Sequence, residues 1–493
     1  MNTIIQALEY HASTRPEKTA ISGSDSGNLS WQQLYSEATV MIPALAGCRT
    51  IGLYMGNSPA WIVADLAAMA IGIMSVPLPT FFSTTQLRHA IQNAQIDTLI
   101  TDDPQRIATL VEIGRELKIN IAGKLYTQLF LYRNNGGSRN GATAKLTYTS
   151  GTTGTPRGVR LGLPAIEQVT ASLADAAEAR ADDRTLVVLP LSILLENIGS
   201  VYVPIIAGAE IIVPDATELG ISGSSRVDAK QFAKALNRFR PTTMIVPPHL
   251  LKLIVALGQQ HKLPDSFRFI AVGGAPTGNT LLNAAQTLGL PVFQGYGLSE
   301  ACSVIAVNSP ADNRPGSVGK PLPHTHVRVS DDGRVYVGGI ISDGYLNETD
   351  FGDGTELDTG DLGYLDDDGY LYITGRHHNR VVTDYGRNIS PEWVESELLS
   401  HPAISQAMVF GKENGELAAV LLPRDTVTPE HLRAALHDTN TRLPDYARIS
   451  RYALADSPFS IATGELTAAG ILARKVIEQR YASLTNTLPE GNT

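Results

Sequence analysis

Residues 147–158 read TYTSGTTGTPRG. Three hydroxyls, on Ser150, Thr152 and Thr153, lie between and beside Gly151 and Gly154, and Pro156, Arg157 and Gly158 close the stretch. Glycines let backbone N–H groups turn inward, hydroxyls donate further hydrogen bonds, and Arg157 supplies positive charge, which together is the chemistry of an anion-binding loop. A Ser/Thr/Gly-rich linker has a similar composition. The apolar strand start Leu146-Thr147-Tyr148 before the loop and the ordered Pro-Arg-Gly after it favour the anion site. No Lys-Ser or Lys-Thr follows the second glycine, so an ordinary P-loop NTPase is disfavoured.

Outward from the loop, short apolar runs alternate with helical patterns. Residues 98–101, 185–189, 210–213, 243–246 and 269–272 are brief, β-branched and bounded by Pro, Asp or Gly, and read as buried strands. Residues 229–239 and 248–257 are amphipathic helices between them. Such alternation implies parallel sheets covered by helices, an α/β class. Residues 134–141 (NNGGSRNG) read as a surface loop. From about residue 330 the character changes: 335–337, 363–365 and 371–374 read as short strands, with a turn at Asp366-Asp367-Asp368-Gly369. Ser390 then resembles a helix N-cap with Pro391 at the first helical position, ahead of an amphipathic stretch at 394–399.

The 493-residue length suggests about three units at roughly 150 residues each. With 43% hydrophobic and 18% charged residues the chain is globular, not disordered or fibrous. A net charge of −10 argues against a broad nucleic-acid-binding surface. Cys48 and Cys302 are too few for a disulfide framework or a four-cysteine zinc site, and a reduced, cytoplasmic setting is the simplest expectation. Residues 1–16 lack a basic cluster followed by an apolar core, so no secretory signal is expected. The greasiest run, 60–79, is interrupted by Asp65 and ended by Pro77 and Pro79. It falls short of about 20 clean apolar residues and reads as a buried helix running into a strand, with no stable membrane insertion.

The 147–158 stretch resembles the phosphate-loop signature of the adenylate-forming (AMP-binding) enzymes, which include acyl- and aryl-CoA synthetases, luciferases and nonribosomal-peptide adenylation domains. Further stretches follow in that family's order. Gly273-Gly274-Ala275-Pro276 is similar to its adenine-side loop, and residues 294–300 (QGYGLSE) to its second nucleotide motif. Residues 358–361 (DTGD) match the T-G-D motif, Gly375-Arg376 the start of the linker, and 385–391 (YGRNISP) the glycine loop of the small domain. The resemblance covers nearly the whole chain. It implies a large N-terminal domain of helix-covered sheets, residues 1–376, and a small mobile C-terminal α+β domain, residues 377–493.

The resemblance also assigns roles. Thr149, Glu300 and Lys475 form the implied catalytic set, with Glu300 holding Mg²⁺, a hard cation suited to carboxylate and phosphate oxygens. Ser150, Gly151, Thr152, Thr153, Gly154 and Arg157 would hold phosphates. Gly274, Ala275, Gly295, Tyr296 and Gly297 would take adenine, with Tyr296 offering its face and Ser299 its hydroxyl to the α-phosphate. Asp361 would accept the ribose hydroxyls, Arg376 would donate beside it, and Gly386 would lie near the pantetheine arm of CoA. Ile193, Val246, Gly273 and Leu298 would line an acid pocket. Asp366-Asp367-Asp368 reads as a solvated turn, not a metal site.

The implied reaction has two halves. A carboxylate attacks the α-phosphorus of ATP and expels pyrophosphate, and a thiol, that of CoA or of a phosphopantetheinyl carrier, then attacks the acyl carbon. The small domain would rotate about its linker between the halves.

Four departures from the family pattern stand out. Glu465, in FSIATGEL (459–466), occupies the place expected for a lysine that reaches the α-phosphate and carboxylate. Thr463-Gly464-Glu465-Leu466-Thr467 resembles a variant ending with basic residues further on. Arg474 or Lys475 could then supply the charge, although an exposed helix face is the simpler reading of both. His378 stands at the hinge, as a pivot or as an ordinary loop histidine. Ile193 replaces a common histidine or aromatic, and Arg157 a common lysine. Aliphatic residues dominate the implied acid pocket and no ammonium-binding aspartate is evident, which points to a fatty or otherwise apolar acid. Three activities remain open: an acyl-CoA ligase, an adenylating enzyme passing acyl groups to a carrier protein or amine, and a weakly catalytic nucleotide- or acyl-adenylate-binding protein motivated by Glu465.

Overall fold

A computed structural model describes residues 2–23, 27–131, 143–149, 155–222, 226–348, 356–382, 388–411, 416–424, 427–461, 463–466 and 472–485. Ser150, Gly151, Thr152, Thr153, Gly154, Gly386, the 134–141 loop and Thr467 lie outside the described residues.

The short apolar runs become a parallel sheet. Strands Val292–Tyr296, Phe269–Val272, Thr243–Val246, Arg184–Leu186, Glu210–Val213 and Thr19–Gly23 lie side by side in that order, all parallel. Three or four residues suffice for each interior strand because helices cover both faces and most side chains are buried. The 185–189 run is shorter than its sequence suggests. The strand ends at Leu186, with Val187 N still donating to Ile212 O at 2.9 Å, and residues 187–193 continue as a loop.

A second sheet holds Thr98–Thr101, Thr50–Tyr54, Met74–Pro77, Thr143–Thr149 and Arg157–Gly162, with the hairpin Ile113–Ile121 and Lys124–Leu131 at one edge. The 60–79 run resolves into a helix, Pro59–Ala70, and the strand Met74–Pro77, as its interruption suggested. No helix among the described residues is long and apolar enough to cross a membrane.

Asp65, the oddity in that apolar run, is the counter-ion of a buried lysine. Lys145 Nζ lies 2.7 Å from Asp65 Oδ1 and donates to Asn197 Oδ1 at 2.7 Å, while Ser75 Oγ and the Tyr202 hydroxyl also donate to Asp65. Both charged side chains are 2% exposed or less. A buried charge is tolerated only when paired and fully hydrogen-bonded. The cluster ties the Pro59–Ala70 helix and the 194–202 helical segment to the strand Thr143–Thr149.

A four-stranded antiparallel sheet follows, Thr325–Val329, Arg334–Gly339, Glu356–Leu365 and Leu371–Arg376. Arg314 clamps its Asp366–Gly369 turn, reaching Asp366 at 2.6 Å and Asp368 at 2.7 Å. Ile404–Gly411, Leu417–Pro423 and Ile449–Leu454 then form a three-stranded sheet, with helices Pro391–Ser400, Pro429–Arg442 and Arg474–Thr485 around it. Ser390 caps the first of these helices, accepting from Trp393 N at 3.3 Å, and Pro391 takes the first helical position.

The two parts meet at Lys252. This residue of the Pro248–Gln259 helix donates to the carbonyls of Leu399, His401 and Ile404 at 2.5, 2.9 and 3.2 Å. These carbonyls lie at and just beyond the end of Pro391–Ser400, where a helix leaves acceptors unsatisfied and its dipole favours a cation. Burial lowers the Lys252 ammonium to about 8.

Candidate active site

One continuous cleft runs along the carboxyl edge of the parallel sheet and between the two parts of the molecule. Ligands in open α/β sheets bind beyond the carboxyl ends of the strands. Thr149, Arg157, Ile193, Gly273, Gly274, Ala275, Gly295, Tyr296, Gly297, Leu298, Ser299, Glu300, Asp361, Arg376 and Lys475 all line it.

Tyr296 ends its strand, and its hydroxyl donates to Asp361 Oδ2 at 2.5 Å. Arg376 Nε lies 2.8 Å from Asp361 Oδ1, and the two residues face each other across adjacent strands. Asp361 is buried, which pushes its carboxyl up, while Arg376 and the Tyr296 hydroxyl oppose the shift. The three residues predicted to hold the nucleoside are therefore one hydrogen-bonded unit. Two glycines shape the backbone beside it. A Cβ on Gly297 would sit 1.7 Å from the Ser303 carbonyl oxygen, so only glycine allows the turn into Ser299–Ala301. Gly274 has φ +79° with open space around it, a left-handed turn that leaves its backbone accessible.

Thr149 and Arg157 face each other across the antiparallel strands Thr143–Thr149 and Arg157–Gly162. The Arg157 guanidinium lies 3.5 Å from the Tyr345 ring centroid and donates through Nε to Glu348 Oε1 at 2.9 Å. Tyr345 in turn donates its hydroxyl to Glu300 Oε1 at 2.7 Å. Among the described residues no cluster of three or more His, Cys, Asp or Glu side chains could hold a metal alone. A single carboxylate at a phosphate site suits Mg²⁺, which is typically held by one or two carboxylates plus phosphate oxygens.

The acid wall needs one correction. Val246 is fully buried in the core with Leu186, Met244 and Leu250, while its neighbours Ile245 and Pro247 line the cleft. Adjacent strand residues project to opposite faces, so a one-residue error in register changes the assignment. Ile193, Leu194, Val203 and Ile245 make the wall aliphatic. His249 adds an imidazole, which burial biases toward neutrality.

Behind the 187–193 loop stands Glu196, fully buried. Its Oε1 accepts from Val188 N at 2.8 Å, and the Ser200 hydroxyl and Leu189 N–H also face the carboxyl. Burial raises it to about 8. Above the ordinary carboxyl range of about 4.5 the unfolded chain has released this proton while the folded chain keeps it, so folding stability falls as pH rises toward 8. Glu196→Gln is expected to remove that slope and to stabilise the protein at pH 8 by roughly 2–4 kcal/mol relative to pH 5. Urea unfolding at the two pH values checks this, and an equal stability difference in both proteins would contradict it.

The C-terminal departures also change meaning. Glu465 is not an acid aimed at phosphate. It is fully buried, lies 2.9 Å from Arg480 Nη1, and accepts from Thr463 Oγ1 at 2.6 Å. Arg474 is not an exposed face either: it reaches Glu395 at 2.6 Å and Glu392 at 3.3 Å and is mostly buried. Burial holds Glu395 up at about 7 despite that arginine. Lys475, exposed beside the cleft, forms no ion pair among the described residues. His378 is exposed on the short turn His377–Asn379.

Sequence reasoning missed Tyr345 and Lys145, and it marked the stretches 189–203 and 246–250 as cleft lining without singling out Glu196 or His249. Tyr345 and Lys145 act through partners distant in the chain. Only Asp65, a charge in an apolar run, signalled the Lys145 cluster.

Two family models match most of the chain. The family description "AMP-binding enzyme" matches residues 8–345, and "AMP-binding enzyme C-terminal domain" matches 378–490. The chain is 27% identical to a long-chain-fatty-acid–CoA ligase, FadD15, of Mycobacterium bovis, over 89% of this chain and 87% of that one. It is 29% identical to the 2-succinylbenzoate–CoA ligase of Bacillus subtilis, over 83% and 85%. The structure of the O-succinylbenzoate Coenzyme A synthetase MenE from Bacillus subtilis, in complex with ATP and magnesium ion, superposes with a TM-score of 0.75 at 27% identity, covering 96% of this chain and 98% of that one.

Proposed function

The chain belongs to the AMP-binding enzyme family, and from that premise we propose that it activates a carboxylic acid with ATP, releases pyrophosphate and transfers the acyl group to the thiol of CoA. The observation that carries this reading is the continuity of the cleft. A nucleoside unit (Tyr296, Asp361, Arg376), a phosphate arm (Thr149, Arg157), a carboxylate (Glu300) and an aliphatic wall share one surface. Residues 1–376 would bind ATP and the acid, and residues 377–493 would bring Lys475 and the glycine loop to them.

The ring of Tyr296 would lie against adenine, and Asp361 would accept the ribose hydroxyls while Arg376 holds its other oxygen. Thr149 and Arg157 would orient the polyphosphate so that a substrate oxygen meets the α-phosphorus in line. Mg²⁺ held by Glu300 would neutralise phosphate charge as pyrophosphate leaves. Lys475 would bring a cation from the small part to the substrate carboxylate. Activation is needed because a carboxylate oxygen is a poor leaving group and AMP a good one. Two unpaired cysteines, Cys48 and Cys302, fit a reduced cytoplasmic setting.

For the acid, the aliphatic wall favours an apolar or fatty chain, the class named for the Mycobacterium relative. His249 favours a second reading, an aromatic acid bearing a polar group, the class of the Bacillus relative. A panel of both classes, assayed by pyrophosphate release with hydroxylamine as trap, is expected to yield one preferred class. Offering CoA, a carrier protein and amines together, with product mass spectrometry, is expected to yield the CoA thioester. No pyrophosphate release with any acid would overturn the proposal, and carrier-bound or amide products would redirect its second half.

A further inference from the structure

The segment 342–346 joins both arms of the phosphate site. Its backbone meets the strand after the loop: Arg160 N donates to Gly344 O at 2.9 Å, Leu346 N to Gly158 O at 2.7 Å, and Val159 and Tyr345 form a β-bridge. It also meets the Glu300 turn, where Ser342 N donates to Glu300 O at 2.8 Å. Backbone bonds alone therefore fasten the segment at both sides. The side chain of Tyr345 repeats the connection at the functional groups: its ring carries the Arg157 guanidinium at 3.5 Å, and its hydroxyl holds Glu300 Oε1 at 2.7 Å. Among the described residues no hydrogen bond engages Glu300 Oε2.

We infer that Tyr345 is a positioning residue: its hydroxyl fixes the Glu300 carboxylate so that Oε2 faces a cation-bearing polyphosphate, and its ring sets Arg157 opposite. The inference rests on the adenylating function proposed above. A tether needed for folding alone is already supplied by these backbone hydrogen bonds, to which Asp343 N donating to Arg160 O at 2.9 Å adds a fourth, so the hydroxyl is surplus to the fold. A hydrogen bond to one carboxylate oxygen removes the freedom of the group to rotate, and the cation meets a pre-set ligand. The ring does the same for a long arginine side chain, through a cation–π contact.

Tyr345→Phe keeps the ring under Arg157 and deletes the hydroxyl, whereas Tyr345→Ala deletes both. Binding is measured by calorimetry without acid substrate, so that no turnover occurs, with MgATP and with AMP, which lacks the β- and γ-phosphates. Tyr345→Phe is expected to weaken MgATP about tenfold, the size of one charge-assisted hydrogen bond, to raise the Mg²⁺ concentration needed for binding, and to leave AMP unchanged. Tyr345→Ala is expected to weaken MgATP further. Wild-type affinity for MgATP in Tyr345→Phe would overturn the inference. So would an equal loss for AMP and MgATP, because that marks a structural tether. A wild-type protein that binds no MgATP would overturn the adenylating function itself, and this inference with it.

Discussion

Replacing Glu300 with glutamine is expected to lower acid-dependent ATP–pyrophosphate exchange by about 10²–10³-fold, the cost of losing one electrostatic contact to developing charge. The substitution keeps the size and the Tyr345 hydrogen bond but removes the negative charge that a hard cation needs. Glu300 lies on a short turn at the cleft, outside the apolar core, so the melting temperature is expected to stay within about two degrees of wild type. The apparent Mg²⁺ requirement is expected to rise while the KM for the acid stays constant. A loss of less than about threefold would remove Glu300 from the phosphate site.

Glu465→Lys is expected to damage the small part of the molecule and not to repair its chemistry. Read from sequence, the glutamate occupies the place of a missing catalytic lysine, and a lysine there should speed exchange. In the structure its carboxylate is fully buried, paired with Arg480 and bonded to Thr463. Substitution puts a second cation, at a fully buried position, beside that arginine. The arginine is 39% exposed, so the loss is expected to be smaller than the cost of breaking a fully buried pair, about 3–5 kcal/mol. We expect a markedly earlier unfolding transition of the C-terminal part and slower exchange. Lys475→Ala, at an exposed cleft residue without an ion pair among the described residues, is expected to slow exchange with no change in melting temperature. Faster exchange in Glu465→Lys would restore the missing-lysine reading.

These cases mark what the sequence could and could not tell. The strands Thr98–Thr101, Glu210–Val213, Thr243–Val246 and Phe269–Val272 were legible because each is a short β-branched run with turn residues at its ends. That Thr149, Arg157, Tyr296, Asp361 and Arg376 come together at one cleft was legible because each sits in a local motif and needs no knowledge of its partner. Contacts between distant positions were not legible. Lys145 and Asp65 are 80 residues apart, Arg474 and Glu395 79, and Tyr345 and Glu300 45. Glu465 was misread because position relative to a motif says nothing of side-chain direction or of the cation that meets it. Val246 was misread because the boundary between core and cleft turned on a single residue in a strand.

The central claim is that an oxygen of the substrate carboxylate becomes bonded to the innermost phosphorus of ATP. A preferred acid labelled with ¹⁸O in its carboxylate, incubated with the enzyme, MgATP and CoA, tests this directly. Attack on the α-phosphorus followed by thiol attack on the acyl carbon leaves one labelled oxygen in AMP and the other in the thioester carbonyl. Label in AMP is the predicted result. Thioester formed with label in inorganic phosphate and none in AMP, the signature of an acyl-phosphate route, would contradict the account.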